Sequence, residues 1–423
     1  MKTYLIFGKG KSGKAAAALL ESKNIPHLLV DDNTPNWERF LKEVSTIVVS
    51  PGIPPHHRVF KLTQKLGKEL IGETELAFRF WKGQIVAITG TDGKSTTTRL
   101  IYEILKTQRE DVYIGGNYGT PFSEIVLKQS KSGYSKDKPP LAVLEISSFQ
   151  GKTLKTFRPN IGVFLNFSPD HLDWHSSLKD YLLSKWNIFK NQREKDFLIV
   201  NRCQEETLQT PTCAKKITFG CNGDIYIDNY GRVYFKDVFL FEERDILLKG
   251  KHNLFNAAVA ATVGYLLGIE IYNIQRALRE FKGLPHRLEY VGKFGGIEIY
   301  NDSKATTPHA LEAALKSFKK RVVLIAGGKD KGSDFSYLKP LVREKVKIAI
   351  LYGENSQKIA RQWEGSTNIY TVGSLEDALH LAKKLLQRGD ILLFSPASAS
   401  FDSFSSYIER GEVFKKLVKE LFK

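Results

Sequence analysis

The chain has 423 residues, of which 42% are hydrophobic and 26% charged, and a formal net charge of +17. That length exceeds what one hydrophobic core usually holds, so two or three globular domains are expected. Lys and Arg are interspersed with Asp and Glu, without an arginine-rich tail or a nucleic-acid-binding module. The excess charge therefore reads as solvated faces, with room for a substrate bearing phosphates and carboxylates and no nucleic-acid partner. The three cysteines, Cys203, Cys213 and Cys221, are odd in number and lack a C-x-x-C pair. They predict free thiols in a reducing cytoplasm, with neither a disulfide nor a zinc site.

In chain order, Tyr4-Leu5-Ile6-Phe7 reads as a strand, cut off by Gly8 and the basic Lys9 and Lys11, so it is no secretion signal. Gly8-Lys9-Gly10-Lys11-Ser12-Gly13 forms a G-x-G-x-x-G fingerprint before an Ala-rich helix. A strand at 28–30 then ends at Asp31 and Asp32, and another at 47–49 ends in Ser50-Pro51-Gly52. The fingerprint fits NAD or another phosphate-bearing ligand, held at the carboxyl ends of strands. This segment closes near Trp81-Lys82-Gly83.

The strand 85–88 leads into Gly90-Thr91-Asp92-Gly93-Lys94-Ser95-Thr96 and an amphipathic helix. Strand, glycine turn, lysine, hydroxyl and helix make a nucleotide-phosphate cradle: glycines and the helix N-terminus aim N–H groups at an anion. Lys94 can reach outer phosphates, and Ser95 or Thr96 offers oxygen to Mg²⁺. The common pattern has a glycine five residues before Gly93, where this chain has Ile88. Further strands are expected at 141–146, 161–167 and 197–200, ending respectively at Glu145 to Ser148, at Asn166 to His171, and at Asn201. Residues 130–140 read as an exposed loop and 221–248 as a small antiparallel excursion. The apolar stretch 257–269 is too short to span a bilayer and reads as a buried helix. After Gly283-Leu284-Pro285-His286-Arg287, strands at 322–326, 348–352 and 391–395 again alternate with helices. Such alternation predicts mostly parallel sheets with covered faces.

Several polar runs follow apolar strands: Glu145 with Ser147-Ser148-Phe149-Gln150, Asp170-His171-Leu172-Asp173, Asn301-Asp302-Ser303-Lys304-Ala305-Thr306, and Ser395-Pro396-Ala397-Ser398-Ala399-Ser400. Each alone is a common loop composition. Together with the loop 90–96, Gly115-Gly116-Asn117, His252-Asn253 with Asn256, and 283–287, they closely resemble the Mur ligases of peptidoglycan synthesis, over the whole chain and in the family order. Serine after the loop lysine resembles the D-glutamate-adding branch, and the Asp-Asn-Pro-Arg motif of the diaminopimelate- or lysine-adding branch is absent. The short loop lacking the extra glycine is itself similar to the family form.

The resemblance implies an α/β fold of three domains: a Rossmann-like N-terminal domain (1–82) for the UDP-sugar, a central P-loop-type mononucleotide-binding domain (83–284) for ATP, and a Rossmann-like C-terminal domain (285–423) for the amino acid. It implies ATP-dependent amide synthesis through an acyl phosphate, from UDP-N-acetylmuramoyl-L-alanine and D-glutamate, by a cytoplasmic, monomeric enzyme with no membrane insertion. ATP would lie on Gly90, Thr91, Asp92, Gly93, Lys94, Ser95, Thr96, Asn253, Asn256, Arg287 and Asp302. Two Mg²⁺ sites are implied, one at Ser95 and Glu145 and another near His171 with Lys185, if that lysine is carbamylated. Lys94, His171, Lys185 and Lys304 are the implied catalytic groups. The UDP-sugar would meet Lys11, Ser12, Asp31, Asp32, Ser50, Gly52, Asn117 and Gln150, and D-glutamate Thr306, Lys331, Ser400 and Tyr407.

Asp92 stands where the family often has asparagine, and Tyr407 where phenylalanine is common. Three other readings make different predictions. A relative adding another amino acid would select another amine. A nucleotide switch would turn over slowly whatever small acids are present. A dehydrogenase would bind nicotinamide and leave 90–96 unexplained.

Overall fold

The structure is a computed structural model that describes residues 3–117, 119–132, 139–171, 174–248 and 250–422. The side chain of Asp173 and the stretch 133–138 of the expected loop lie outside the described residues. The described part of that loop differs from expectation at its start, because residues 130–132 continue the helix Phe122–Ser132. Ser130 caps its hydroxyl onto the Leu127 carbonyl at 2.9 Å, a bond that suits the polar end of a helix as well as a loop.

Three sheets account for the strands. The first has strands β1 (Tyr4–Phe7), β2 (His27–Val30), β3 (Thr46–Val49) and β4 (Glu69–Gly72), all parallel, in the order β2-β1-β3-β4. The second contains β5 (Gln84–Thr89), β6 (Val112–Gly116), β7 (Leu141–Glu145), β8 (Ile161–Phe164), β9 (Phe197–Asn201), β10 (Lys215–Phe219), β11 (Ile225–Ile227), β12 (Arg232–Phe235) and β13 (Val238–Glu242). Its order is β13-β12-β11-β10-β9-β8-β5-β7-β6; only the pairs among β11, β12 and β13 are antiparallel, where the excursion was expected. The third contains β14 (Glu289–Phe294), β15 (Ile297–Asn301), β16 (Val322–Gly327), β17 (Val346–Tyr352), β18 (Asn368–Thr371) and β19 (Ile391–Phe394), ordered β14-β15-β19-β16-β17-β18. It is parallel except for the β14–β15 hairpin.

The central strands are continuous apolar runs because both their faces are covered. Ile85, Val86, Ala87 and Ile88 of β5 are all buried, as are Val323, Leu324 and Ile325 of β16. Separate apolar clusters lie on either face of the third sheet, one around Leu324 and Trp363, the other around Ile325 and Phe414. Leu19 and Ala77, from helices beside the first sheet, join the core cluster of the second. The chain accordingly divides into two compact units, residues 1–246 with 252–281, which hold the first two sheets, and residues 247–251 with 282–423, which hold the third.

The cysteine expectation fails. Cys203 and Cys221 are joined in a disulfide, with Cα atoms 5.4 Å apart, and only Cys213 is free and exposed. The reason is the pairing of β9 with β10, in which Asn201 lies opposite Phe219. Each cysteine lies two residues beyond its strand, so adjacent parallel strands bring together two thiols that are 18 residues apart. Among the described residues, no helix is long and apolar enough to cross a membrane.

Candidate active site

The first unit gathers its polar loops at the carboxyl ends of its strands, where ligands of open α/β sheets bind. Beyond β5, Gly90 and Gly93 have φ of +154° and +81°. A Cβ at Gly93 would fall 2.7 Å from Oδ1 of Asn256, so glycine allows both the turn and the close approach of the helix Lys251–Leu266. Asn166, after β8, shapes the loop: its side-chain oxygen accepts from the N–H groups of Thr91 (3.0 Å) and Asp92 (2.8 Å). The Thr91 hydroxyl meets the backbone of Ser168 and the hydroxyl of Tyr181 (3.2 Å). Lys94 opens the helix Lys94–Lys106 and donates through Nζ to the carbonyls of Gly90 (2.9 Å) and Thr91 (2.8 Å). Ser95 and Thr96 are buried beneath it, and Asp92 is exposed.

The acid at the end of β7 is tied to this loop. The Ser95 hydroxyl donates to Oε2 of Glu145 at 2.6 Å, and Nδ2 of Asn117 donates to Oε1 at 2.7 Å. Asn117 also donates its backbone N–H to the Glu145 carbonyl at 2.8 Å. A Cβ on Gly116, whose φ is +92°, would lie 2.3 Å from that carbonyl, so β6 can approach β7 only with glycine there. A buried carboxylate beside a serine hydroxyl is a hard oxygen donor set that fits Mg²⁺, which usually takes one or two protein ligands and fills the rest of its shell with phosphate oxygens and water. Among the described residues no cluster of three His, Cys, Asp or Glu could hold a metal by itself.

Lys185 is 1% exposed, in the helix Leu178–Trp186. Its Nζ donates to the Gly90 carbonyl at 2.8 Å and lies 4.7 Å from the centre of the Tyr181 ring. Burial, followed by the nearby Lys94 ammonium, holds its pKa well below the ordinary lysine value. His171, at φ +54°, is half-exposed and packs edge-on against Phe149, ring centres 4.9 Å apart. Asn256 donates to Asn253 at 3.3 Å, on the Gly93 side of the loop.

The residues expected to meet the UDP-sugar divide into two groups. Asp31, Asp32, Ser50 and Gly52 follow β2 and β3. Lys9 bridges to Asp31 at 3.1 Å, His57 to Asp32 at 3.0 Å, and the Ser50 hydroxyl donates to the Gly8 carbonyl at 3.3 Å. Lys11 and Ser12 open the helix Lys11–Ser22, and the Lys11 ammonium donates to the Gly119 carbonyl at 2.5 Å. Gln150 lies apart, 6% exposed: its amide oxygen accepts from Ser147 in a capping box and its nitrogen donates to Thr74 at 3.1 Å.

In the second unit, β15 and β19 are parallel neighbours, so the runs 301–306 and 395–400 emerge side by side. Asp302 is buried, accepting from the Ser395 hydroxyl (2.8 Å) and the Leu288 N–H (3.1 Å). Burial raises its pKa to about 7, against the opposing pull of those bonds and of the Arg287 and Lys304 charges. The His286 carbonyl accepts from the Lys304 N–H at 2.9 Å, which sets Arg287 beside this run. Lys331 follows β16, with its ammonium 5.6 Å from the Phe401 ring centre, next to buried Ser400. Thr306 is half-buried before the helix Pro308–Lys316, and Tyr407 starts the helix Tyr407–Leu421, its ring 6.3 Å from that of His286.

Sequence reasoning missed Arg410. It is wholly buried and donates to the Ser303 hydroxyl (3.0 Å) and to the carbonyls of Ser303 (2.8 Å), Ser398 (2.9 Å) and Ala399 (3.1 Å). One guanidinium thus holds both polar runs together, using its rigid fork of donors. An arginine within an otherwise amphipathic helix gives no sign of such a role in the sequence.

The phosphate cradle with its buried acid and the polar runs of the second unit have counterparts in known proteins. Residues 88–264 match the Mur ligase middle domain, and residues 286–398 the Mur ligase glutamate ligase domain. The chain belongs to the Mur ligase family. It is 50% identical over 422 residues to the UDP-N-acetylmuramoylalanine–D-glutamate ligase of Aquifex aeolicus, and 51% identical over 423 residues to the protein of the same name in Hydrogenobaculum, with 99% of each chain covered in both comparisons. Its fold is similar to that of the MurF ligase of Thermotoga maritima in complex with ADP, with a TM-score of 0.62, 19% identity, and coverage of 99% of this chain and 96% of that one.

Proposed function

We propose that this chain is an ATP-dependent ligase that joins the amine of D-glutamate to the carboxyl group of UDP-N-acetylmuramoyl-L-alanine. The observation that carries the reading is the identity of half of all positions, over the full length, with relatives named for that reaction. A carboxylate is a poor electrophile, so its oxygen first takes the γ-phosphoryl group of ATP as the bond to ADP breaks. The amine of D-glutamate then attacks the carbonyl carbon of the acyl phosphate. The tetrahedral adduct loses phosphate as the C–O bond breaks, and the ammonium proton leaves to solvent.

The geometry supports a role for each group. Lys94 and the N-terminus of the helix Lys94–Lys106 receive the triphosphate, with Asn253 and Asn256 on the adenosine side. Ser95 and Glu145 would hold Mg²⁺, which neutralises phosphate charge when bound. Burial pushes Lys185 toward its neutral amine, the form that reacts with carbon dioxide, which supports its carbamylation and a second Mg²⁺ site on the His171 side. Residues 1–82 serve the UDP-sugar, 83–284 ATP, and 285–423 D-glutamate through Thr306, Lys331, Ser400 and Tyr407; Arg287 and Asp302 are assigned to ATP and Lys304 to catalysis. The enzyme acts as a cytoplasmic monomer.

The test is phosphate release with ATP and UDP-N-acetylmuramoyl-L-alanine, across D-glutamate, L-glutamate, D-lysine and meso-diaminopimelate. Release should require both the nucleotide-sugar and D-glutamate; equal turnover without the nucleotide-sugar overturns the reading. Lys94→Ala should lower kcat by about 10²-fold or more, since it removes a cation from the transferring phosphoryl group. Its UDP-sugar affinity, measured by calorimetry, should stay near that of the unaltered protein.

A further inference from the structure

Outside the groups assigned above, one buried cluster of titratable and nucleophilic side chains stands out. His175 is 3% exposed, and its Nε2 lies 2.9 Å from the Ser148 hydroxyl while its Nδ1 lies 3.3 Å from a carboxylate oxygen of Asp180. Lys152 bonds the other oxygen of Asp180 at 2.5 Å. The order serine, histidine, aspartate resembles that of a hydrolase triad. Ser148 is only 2% exposed and begins a helix, so it presents no nucleophile to a substrate. Burial lowers the His175 pKa from the ordinary histidine value, which favours the neutral ring. A carboxylate can only accept, so Nδ1–H donates to Asp180, and Nε2 accepts from the Ser148 hydroxyl.

The cluster connects three segments that each carry an active-site group. Ser148 lies three residues after Glu145 and opens the helix Ser148–Gly151. Asp180 is in the first turn of the helix that bears Lys185. The backbone of His175, with that of Trp174, donates to the His171 carbonyl at 2.9 Å and 3.1 Å. Phe149 fills the space between them, its ring centre 4.9 Å from that of His171, 4.3 Å from Trp174 and 5.7 Å from His175. His171 has a left-handed backbone and a half-exposed side chain, and its ring also meets a carboxylate oxygen of Asp170 at 3.4 Å and the Tyr181 ring, centres 6.1 Å apart.

We propose that His175 is a positioning residue whose bond to Ser148 sets His171 relative to Glu145 for the ligation step, an inference that rests on the ligase reading of His171 given above. Its side chain is 3% exposed and is not offered to a ligand. Its effect therefore appears in turnover and not in the binding of ATP, whose loop is shaped separately by Asn166.

The experiment measures phosphate release by the full chain with ATP, UDP-N-acetylmuramoyl-L-alanine and D-glutamate, for Ser148→Ala, His175→Gln, His175→Ala and His171→Ala. Losing the Ser148–His175 bond should lower kcat about 10-fold or more, in the range of losses that follow removal of groups supporting a ligand residue, while the KM for ATP stays within about twofold. Glutamine can still accept from Ser148, so His175→Gln should recover part of what His175→Ala loses. Ser148→Ala and His175→Gln alter little volume and keep the test open if His175→Ala fails to fold. Removing both partners should cost less than the product of the single losses, because they share one bond. Unaltered kcat in Ser148→Ala beside an inactive His171→Ala overturns the positioning role alone, as does an equal loss in kcat and in ATP affinity. A fully active His171→Ala overturns that role together with the reading of His171.

Discussion

Asp302 shows how burial and function meet in a single side chain. Its pKa near 7 means that the folded protein holds a proton there over a pH range in which an unfolded aspartate, near 3.8, has lost it. The contribution to stability is complete below about 3.8 and is lost as the pH rises through about 7. Asp302→Asn, which cannot ionise, should therefore gain thermal stability relative to the unaltered protein as pH rises from 4 to 8. Melting curves that stay parallel across that range would refute the assignment. Much of the site can be read residue by residue from the sequence, because Lys94, Ser95 and Glu145 each follow an apolar run and have types suited to phosphate and metal. Arg410 and His175 cannot be read in this way. Their partners are 107 and 27 positions distant, at Ser303 and Ser148, and only the fold brings them into contact.

Among elements, strands buried on both faces were legible, as was the edge strand β2, but the edge strands β6 and β18 were not. The strands β1, β3, β5, β7, β16 and β19 have apolar centres, whereas β6 carries two glycines and β18 is mostly exposed. Edge strands have one neighbour and less burial, so their composition is less constrained. Yet β6 shapes the site, since Gly116 lets it approach Glu145. Gly116→Ala should displace that carbonyl and reduce turnover with little change in secondary structure, as circular dichroism would show. The disulfide is also an element-level feature, invisible to cysteine spacing because it depends on β9 lying beside β10. A loop of this length is stabilised by about 3 kcal/mol in the chain-entropy model. Cys203→Ser should accordingly melt at a lower temperature than the unaltered protein under non-reducing conditions, and excess dithiothreitol should remove the difference.

Over the whole molecule, the repeated alternation of strands and helices made the fold class legible, but sheet membership came from pairing. The strands of residues 4–72 and 84–242 form separate sheets within one compact unit, and no composition shift in the sequence marks that association. The second unit has apolar clusters on both faces of its sheet, all drawn from residues 288–422. Expressed alone, residues 282–423 should unfold in one cooperative transition and release no phosphate from ATP; a non-cooperative melt would show that its core is incomplete.

The bonds among Ser95, Glu145 and Asn117 also bear on antibacterial resistance. Glu145 accepts from both of the others, so replacing it leaves the buried Ser95 hydroxyl without its acceptor, at a cost of about 1–3 kcal/mol. An inhibitor anchored on Glu145 would thus press on a position with few tolerable substitutions. One anchored on Asp92 would meet an exposed side chain.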